Sequence, residues 1–475
     1  MSGLRPPPDQ DIVVVGATGD LAARKLLPAL YNLNVDGLLP KGCDIVGVAP
    51  MDWSTERFVE HAEDSIRQFS RTGIRAVKFK DFAKRLRFIN AGDQGDLSPL
   101  RGQLRRKRRL VYLAVPPSAF TELIGGIKAA GLREGTSLVI EKPFGDDLKS
   151  ARVLNVALHQ VLAEAQIFRI DHYLGKETVQ NLMVFRFGNS LFERVWNRDA
   201  IAHVEITVAE SLGVEQRGAF YEATGAVRDI VQNHLFQVLA VVAMEAPNSF
   251  DAEAIRNEKV KVLDALHRAD VRDVVRGQYT AGTVEGKRVV GYRQEHGVSR
   301  TSQTETYAAL RLHIDSWRWS GVPFVLRTGK RLKTRDTRIV VVFRDPPLRI
   351  FRGQGIHHVD SNRLVVRIQP NEGIAFDFVA KQPGPQVLTQ AVGMDFSYGT
   401  SFKTSPPEAY ERLLHDALNQ DHTLFIRQDE VERGWEVVQP ILDNPPTVVE
   451  YRAGSWGPAE AERIAKPGHW HIPDA

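Results

Sequence analysis

Six short apolar runs recur through the first 170 positions with helical patterns between them: IVVV (12–15), IVGV (45–48), RFIN (87–90), LVYLAV (110–115), SLVIE (137–141) and IFRI (167–170). No other feature restricts the fold as strongly. Unbroken apolar runs of this length suit strands buried on both faces, and such strands belong to parallel sheets covered by helices. The alternation predicts a doubly wound, Rossmann-like α/β domain over residues 1–170.

After Ser211 the pattern changes. AHVEITVA (202–209) precedes one long helical segment that follows Gly225. Then come YAALRLHI (307–314), RIVVVF (338–343), RLVVRIQ (363–369) and GIAFDFV (373–379), several of them separated only by turn-like DPP or NEG. Consecutive strands with tight connections predict a mainly antiparallel sheet. The remainder, 171–475, reads as a larger α+β domain, and 475 residues are more than one core usually organises. EAYERLLHDAL, near residue 413, has the spacing of an amphipathic helix packed on the sheet. No internal repeat or low-complexity tract breaks this division.

Composition excludes several classes. No apolar run approaches the ~20 residues that span a bilayer, so no membrane segment is expected. The start, MSGLRPPPDQ, lacks the regions of a signal peptide and reads as a disordered lead-in. Cys43 is the sole cysteine. It allows neither an intrachain disulfide nor a cysteine metal cluster and suits a reducing, cytoplasmic setting. The net charge of +4 permits an anionic small substrate. The run RRKRR (105–109) has no aromatic interleaving and no second basic cluster, so it reads as a solvated helix end rather than a nucleic-acid patch.

IVVVGATGDLAARKLLPAL has the order strand, glycine turn, helix. Gly16 and Gly19 permit a tight turn and close approach to a pyrophosphate, and a helix opening near Asp20 would aim its N–H groups at that phosphate. G-x-x-G-D is not the full dinucleotide fingerprint, but its place after the first strand favours cofactor binding over a plain turn. An acid at the end of the second strand would hold the adenosine ribose, whereas an arginine would bind a 2′-phosphate. GVAPMDW (47–53) offers Pro50, which does neither, and Asp52, so NAD and NADP both stay open.

IDHYLGKE (170–177) places an acid among three anion donors, which one phosphate pocket does not explain. If a helix begins there, His172 and Lys176 share a face and, with Tyr173 and the helix N-terminus, suit a phosphate dianion. Asp171 must then serve something else, and a histidine acting as base is a partner that wants a carboxylate. His234, in GAVRDIVQNHLFQVLAVV, lies within an apolar stripe at helical spacing. It reads either as a satisfied core histidine or as a cleft-lining base. At ~100° per residue, Asp229 would face ~140° away from it, which leaves the partner's role to Asp171.

The chain resembles the glucose-6-phosphate dehydrogenase family. GATGDLAARK, YLAVPP, EKPFG, RIDHYLGKE and NLMVFRFGN carry the resemblance in the first part. WNRDAIAHVEIT, GAVRDIVQNH, WRWSGVPFVLRTGKRL, IQPNE and GSWGP carry it onward, so it runs from about residue 12 past residue 458. It implies oxidation of D-glucose 6-phosphate at C1 to 6-phospho-D-glucono-1,5-lactone with NADP or NAD, the first step of the oxidative pentose phosphate pathway. It implies His234 as the general base, paired with Asp171, and His172, Tyr173 and Lys176 on the 6-phosphate. Glu210, Asp229, Lys330, Arg335, Gln369 and Lys142 would hold the sugar. Gly16, Ala17, Thr18, Gly19, Asp20, Leu21, Lys25, Pro116 and Lys142 would hold the cofactor. It further implies a homodimer or homotetramer, and no metal.

Three positions depart from the family pattern. Pro50 stands where NADP-using members carry an arginine, Ser316 replaces an asparagine before WRW, and Arg338 replaces a glutamate. Only the first touches the proposed chemistry. The alternatives are a dehydrogenase of another phosphorylated sugar and a non-catalytic, sugar-phosphate-sensing homologue.

Overall fold

The six apolar runs pair side by side. In the computed structural model, which describes residues 6–91, 95–348, 350–352, 359–402 and 408–473, they form β1 (Asp11–Val15), β2 (Ile45–Ala49), β3 (Leu86–Asn90), β4 (Arg109–Leu113), β5 (Thr136–Ile140) and β6 (Ile167–Ile170). All their pairings are parallel, in the order β3-β2-β1-β4-β5-β6. A two-residue strand, β17 (Phe425–Ile426), adds antiparallel beyond β6. This order reverses direction between β1 and β4, the crevice where doubly wound sheets bind their ligands. β1, β2 and β5 are buried at every position, as continuous apolar runs require.

The chain divides into two compact units. The first comprises Met1–Lys176, Pro247–Asn257 and Pro407–Glu432; the second comprises Glu177–Ala246, Glu258–Pro406 and Arg433–Ala475. The start of the MSGLRPPPDQ lead-in, residues 1–5, lies outside the described residues.

Two expectations for the first unit are corrected. The amphipathic helix Ala409–Leu418 belongs to this unit and packs against helix Leu27–Val35 rather than on the second sheet. Its buried Glu411 accepts from Asn32 at 2.8 Å and pairs with Arg71 at 2.7 Å, polar anchors that periodicity does not display. RRKRR is a loop leading into β4, not a helix end: the backbone N–H groups of Arg105 and Arg106 both donate to Asp11 Oδ2, at 2.7 and 2.9 Å. Its side chains are solvated as expected, Arg109 excepted, which is half-buried.

The second unit holds a nine-stranded sheet ordered β16-β15-β14-β13-β7-β12-β11-β8-β18. Its strands are β7 (Ile201–Ala209), β8 (Val274–Thr280), β11 (Tyr307–His313), β12 (Pro323–Gly329), β13 (Asp336–Phe343), β14 (Arg363–Gln369), β15 (Gly373–Lys381), β16 (Thr389–Ser397) and β18 (Val448–Arg452), with β9 (Gly282–Val284) and β10 (Lys287–Val289) in a separate hairpin. Six of its eight pairings are antiparallel; β7/β12 and β8/β18 are parallel. β8, β12, β16 and β18 escape the sequence pattern because arginine, glutamine, glutamate or glycine interrupts their apolar runs. Arg327 of β12 and Gln278 of β8 are buried and donate tertiary hydrogen bonds, Arg327 Nε to Thr207 Oγ1 and Gln278 Nε2 to Thr304 O.

The long helical segment of this unit is fixed at both ends. Gly225 has φ +66° and ψ 176°, a region open essentially to glycine alone. A Cβ there would lie 2.5 Å from Glu305 Oε1, the same oxygen that accepts from the N–H of Val227 at 3.1 Å. At the other end, the last carbonyls of helix Phe236–Ala243 would be orphaned. Arg186 donates to Val241, Val242 and Met244 oxygens, Trp196 Nε1 to Val242 O at 2.8 Å and Trp319 Nε1 to Ala243 O at 2.7 Å. Burial lowers the Arg186 pKa to about 10, which still leaves it charged for this role. The motifs NLMVFRFGN, WNRD and WRW thus act together as one helix cap. Among the described residues, no helix is long and apolar enough to cross a membrane.

Candidate active site

In the first unit, the expected site residues leave the carboxyl ends of parallel strands. Gly16 follows β1 with φ +84°, and a Cβ on it would come within 2.4 Å of Ala114 O at the end of β4. Its N–H and that of Ala17 donate to Val48 O at the end of β2, at 2.8 and 3.3 Å. Thr18 and Gly19 complete the turn, and the helix opens at Asp20 and Leu21 as expected. First-turn N–H groups of that helix supply the donors a pyrophosphate needs, so the local structure fits a dinucleotide. Pro116 follows β4 across the same switch point. Lys25 lies one turn into the helix and pairs with Glu408 at 3.0 Å.

Lys142 follows β5, directly after Glu141, whose importance the sequence does not signal. Glu141 Oε1 accepts from Tyr112 Oη at 2.5 Å and from Tyr410 Oη at 3.1 Å. Burial raises its pKa, and the two phenols and Lys142 oppose that rise. Asp171 adds a like charge nearby, so two carboxyls crowd the ends of neighbouring strands β5 and β6.

Asp171 is buried at the end of β6. The segment that follows is not the helix expected there. Residues 172–175 form successive turns, closed by Leu174 N to Asp171 O and Lys176 N to Tyr173 O, both 3.1 Å, and the helix begins at Glu177. Asp171 Oδ1 accepts from Tyr173 N at 2.9 Å, an Asx turn that offers the backbone an alternative to helix. His172 and Lys176 therefore do not share a helical face. Tyr173 is buried and links them instead: His172 packs edge-on against its ring at 5.0 Å, and Lys176 Nζ lies 5.1 Å from it.

In the second unit, Glu210 and Lys330 emerge from the adjacent parallel strands β7 and β12, whose last residues Ala209 and Gly329 are in register. They pair at 2.6 Å, with Lys330 Nζ 5.0 Å from the Tyr221 ring. Arg335, just before β13, donates to Gln369 at the end of β14 at 3.0 Å. These four residues come from one end of the sheet, because β13 runs antiparallel to both β7 and β14. Tyr221 is a further member that sequence reasoning missed. Burial, and then the charges of Asp229, Glu305 and Glu210, push its phenol well above the ordinary range, which keeps it a neutral donor.

Asp229 and His234 require a correction of geometry. Val227–Leu235 is π-helical, with i→i+5 hydrogen bonds, not α-helical. A helix of that kind carries roughly 4.4 residues per turn, so residues five apart differ by about 50° rather than ~140°. Asp229 and His234 thus share one face, and the angular argument against their acting together falls. His234 is fully buried, its N–H donating to Asn233 Oδ1 at 2.6 Å, and Asn233 reaches back to Arg228 O at 3.1 Å.

A parallel sheet in this order, with a glycine turn at its switch point, defines a dinucleotide-binding protein of the Rossmann class. Family models carry the assignment further. "Glucose-6-phosphate dehydrogenase, NAD binding domain" matches residues 13–181 and "Glucose-6-phosphate dehydrogenase, C-terminal domain" matches 183–471. The chain belongs to the glucose-6-phosphate dehydrogenase family. It is similar to glucose-6-phosphate 1-dehydrogenase 2 of Mycobacterium tuberculosis, at 42% identity over 97% of this chain and 94% of that one. It is also similar to the crystal structure of glucose-6-phosphate 1-dehydrogenase from Mycobacterium avium, at 39% identity and a TM-score of 0.88, covering 99% of each chain. A third relative is a glucose-6-phosphate dehydrogenase in complex with glucose 6-phosphate, at 34% identity and a TM-score of 0.90, covering 99% of this chain and 100% of that one.

Proposed function

We propose that this chain oxidises D-glucose 6-phosphate at C1 to 6-phospho-D-glucono-1,5-lactone. The observation that carries this reading is the full-length match to a relative holding that sugar phosphate. A bound nicotinamide dinucleotide supplies the hydride acceptor. The chain's own residues then have three tasks. His234, as the neutral imidazole, takes the C1-hydroxyl proton, and Asp171 fixes its tautomer and stabilises it once protonated. His172, Tyr173 and Lys176 hold the phosphate, whose binding energy keeps C1 in place for reaction. Glu210, Asp229, Lys330, Arg335, Gln369 and Lys142 hold the sugar. The shared face of Asp229 and His234 supports this division, because one grips a hydroxyl beside the proton that the other removes.

Gly16, Ala17, Thr18, Gly19, Asp20, Leu21, Lys25, Pro116 and Lys142 take the dinucleotide. Pro50 is exposed just past β2 and offers no charge to a 2′-phosphate. We infer that NAD serves alongside NADP. The exposed Leu388, Val392 and Met394 at and beside edge strand β16 suit burial against a second copy, as in a homodimer or homotetramer. A cytoplasmic setting is part of the same reading.

The test is reduced-nicotinamide absorbance with glucose 6-phosphate as substrate, on the native chain and on His234→Asn. The expectation is turnover that falls by orders of magnitude in the variant while substrate affinity holds. Near-native kcat in His234→Asn refutes the base. Absence of turnover in the native chain with either cofactor refutes the activity.

A further inference from the structure

Three histidines and one buried glutamate gather in the second unit, away from every residue assigned above. His203 and Glu205 are two apart on β7 and so project from the same face of the sheet. Onto that face comes the C-terminal segment. His471 Nδ1 lies 2.5 Å from Glu205 Oε1, His203 Nε2 lies 3.0 Å from the same oxygen, and the His471 N–H donates to Glu205 Oε2 at 2.9 Å. The three ligand atoms lie within 4.8 Å of one another. His469, exposed, has its ring centroid 4.5 Å from that of His471.

We propose that His203 Nε2, His471 Nδ1 and Glu205 form a binding site for a divalent transition metal of the zinc class. Two imidazoles and a carboxylate are a donor set such ions accept, with the fourth position left to water or to His469. Metal–ligand bonds of about 2.0–2.2 Å place tetrahedral donor atoms roughly 3.3 Å apart. The two histidine–carboxylate separations, 2.5 and 3.0 Å, fall below that value by less than an ångström and all three donor atoms lie within 4.8 Å, so small side-chain shifts admit the ion. In the loaded site each neutral imidazole offers the nitrogen that faces the carboxylate to the ion and carries its single proton on the opposite one.

The surroundings favour a formed site over a chance cluster. Trp470 is buried and donates to Ala461 O at 3.0 Å, which fixes the residue beside His471. A Cβ on Gly468 would lie 3.1 Å from His203 Cε1, so the strap passes close over the ring. Arg327 works in the opposite direction. Its guanidinium is buried on Trp470, 4.5 Å from the ring, and its charge disfavours a second cation. Affinity in the micromolar range is therefore expected, well short of a zinc finger's. The bound ion would staple the C-terminal segment to β7, the central strand that leads into Glu210.

Calorimetric titration of chelator-treated, full-length protein with zinc chloride tests this, alongside His203→Gln and His471→Ala. The expected result is one zinc per chain in the native protein, a rise in melting temperature on binding, and at least a tenfold weaker hold in each variant. The melting temperature of each metal-free variant, read beside that of the metal-free native chain, separates lost zinc from lost folding. No stoichiometric zinc, or zinc held equally well by both variants and therefore on other residues, overturns the proposal.

Discussion

Replacing Gly225 by alanine should loosen the segment that carries Asp229 and His234. The backbone there, at φ +66° and ψ 176°, costs a residue with a Cβ about 1–3 kcal/mol. The new methyl would also sit 2.5 Å from Glu305 Oε1, so Glu305 must move and Val227 N–H loses its acceptor. An orphaned buried donor costs about 1–3 kcal/mol. Together these give about 3 kcal/mol, or roughly two decades in the local opening equilibrium. Gly321 is the control: its φ is +84°, but an added Cβ would meet nothing within 4 Å, so only about 1 kcal/mol of backbone strain applies. Hydrogen exchange followed by mass spectrometry on peptides spanning 226–243 reads the difference directly. Gly225→Ala should lose roughly a hundredfold in protection and at least tenfold in kcat, since small misplacements of reacting groups are expensive. Equal protection in the Gly225→Ala and Gly321→Ala variants, with kcat unchanged, would refute the account of how this helix is set.

Two further outcomes follow from other parts of the molecule. Pro50→Arg should raise the ratio of kcat/KM for NADP over NAD by tenfold or more, measured side by side, because a guanidinium there can pair with a 2′-phosphate; an unchanged ratio would place discrimination elsewhere. Acid should weaken the first unit through Glu164. Burial raises that carboxyl's pKa, but Arg169, at 2.6 Å, and His159, at 2.9 Å, outweigh it and hold the pKa below the ordinary value. A depressed folded pKa stabilises fully above the unfolded value of about 4.3 and is lost as pH falls through the folded one. Urea midpoints should therefore drop below about pH 4, and less so in Glu164→Gln; identical acid limbs would remove Glu164 from the explanation.

Much of the first unit was legible because a strand buried on both faces must be apolar throughout. All six runs became strands, with ends shifted by no more than two residues, and the glycine turn and helix start at Asp20 fell where the spacing placed them. β8 and β12 were not legible, since Gln278 and Arg327 are inward polar residues whose partners lie elsewhere in the chain, on the loop before β11 and on β7. The candidate site was legible as motifs but not as geometry. RIDHYLGKE suggested a helix from Asp171 onward, yet the Asx turn made by that same residue delays it to Glu177. Glu141, Tyr410 and Tyr221 were overlooked because each gains its meaning from neighbours distant in sequence.

The sequence by itself determined that a parallel sheet with a dinucleotide turn precedes a strand-rich half, and which residue types are available for phosphate, sugar and base. These follow from local periodicity and from the chemistry of single side chains. Only the tertiary structure decided that Asp229 and His234 face the same way. An i→i+5 helix is rarely favoured by its own residues, and here it persists between Glu305 at one end and Arg186, Trp196 and Trp319 at the other. Hydrogen bonds between positions far apart in the chain set that pitch, and no local pattern encodes them.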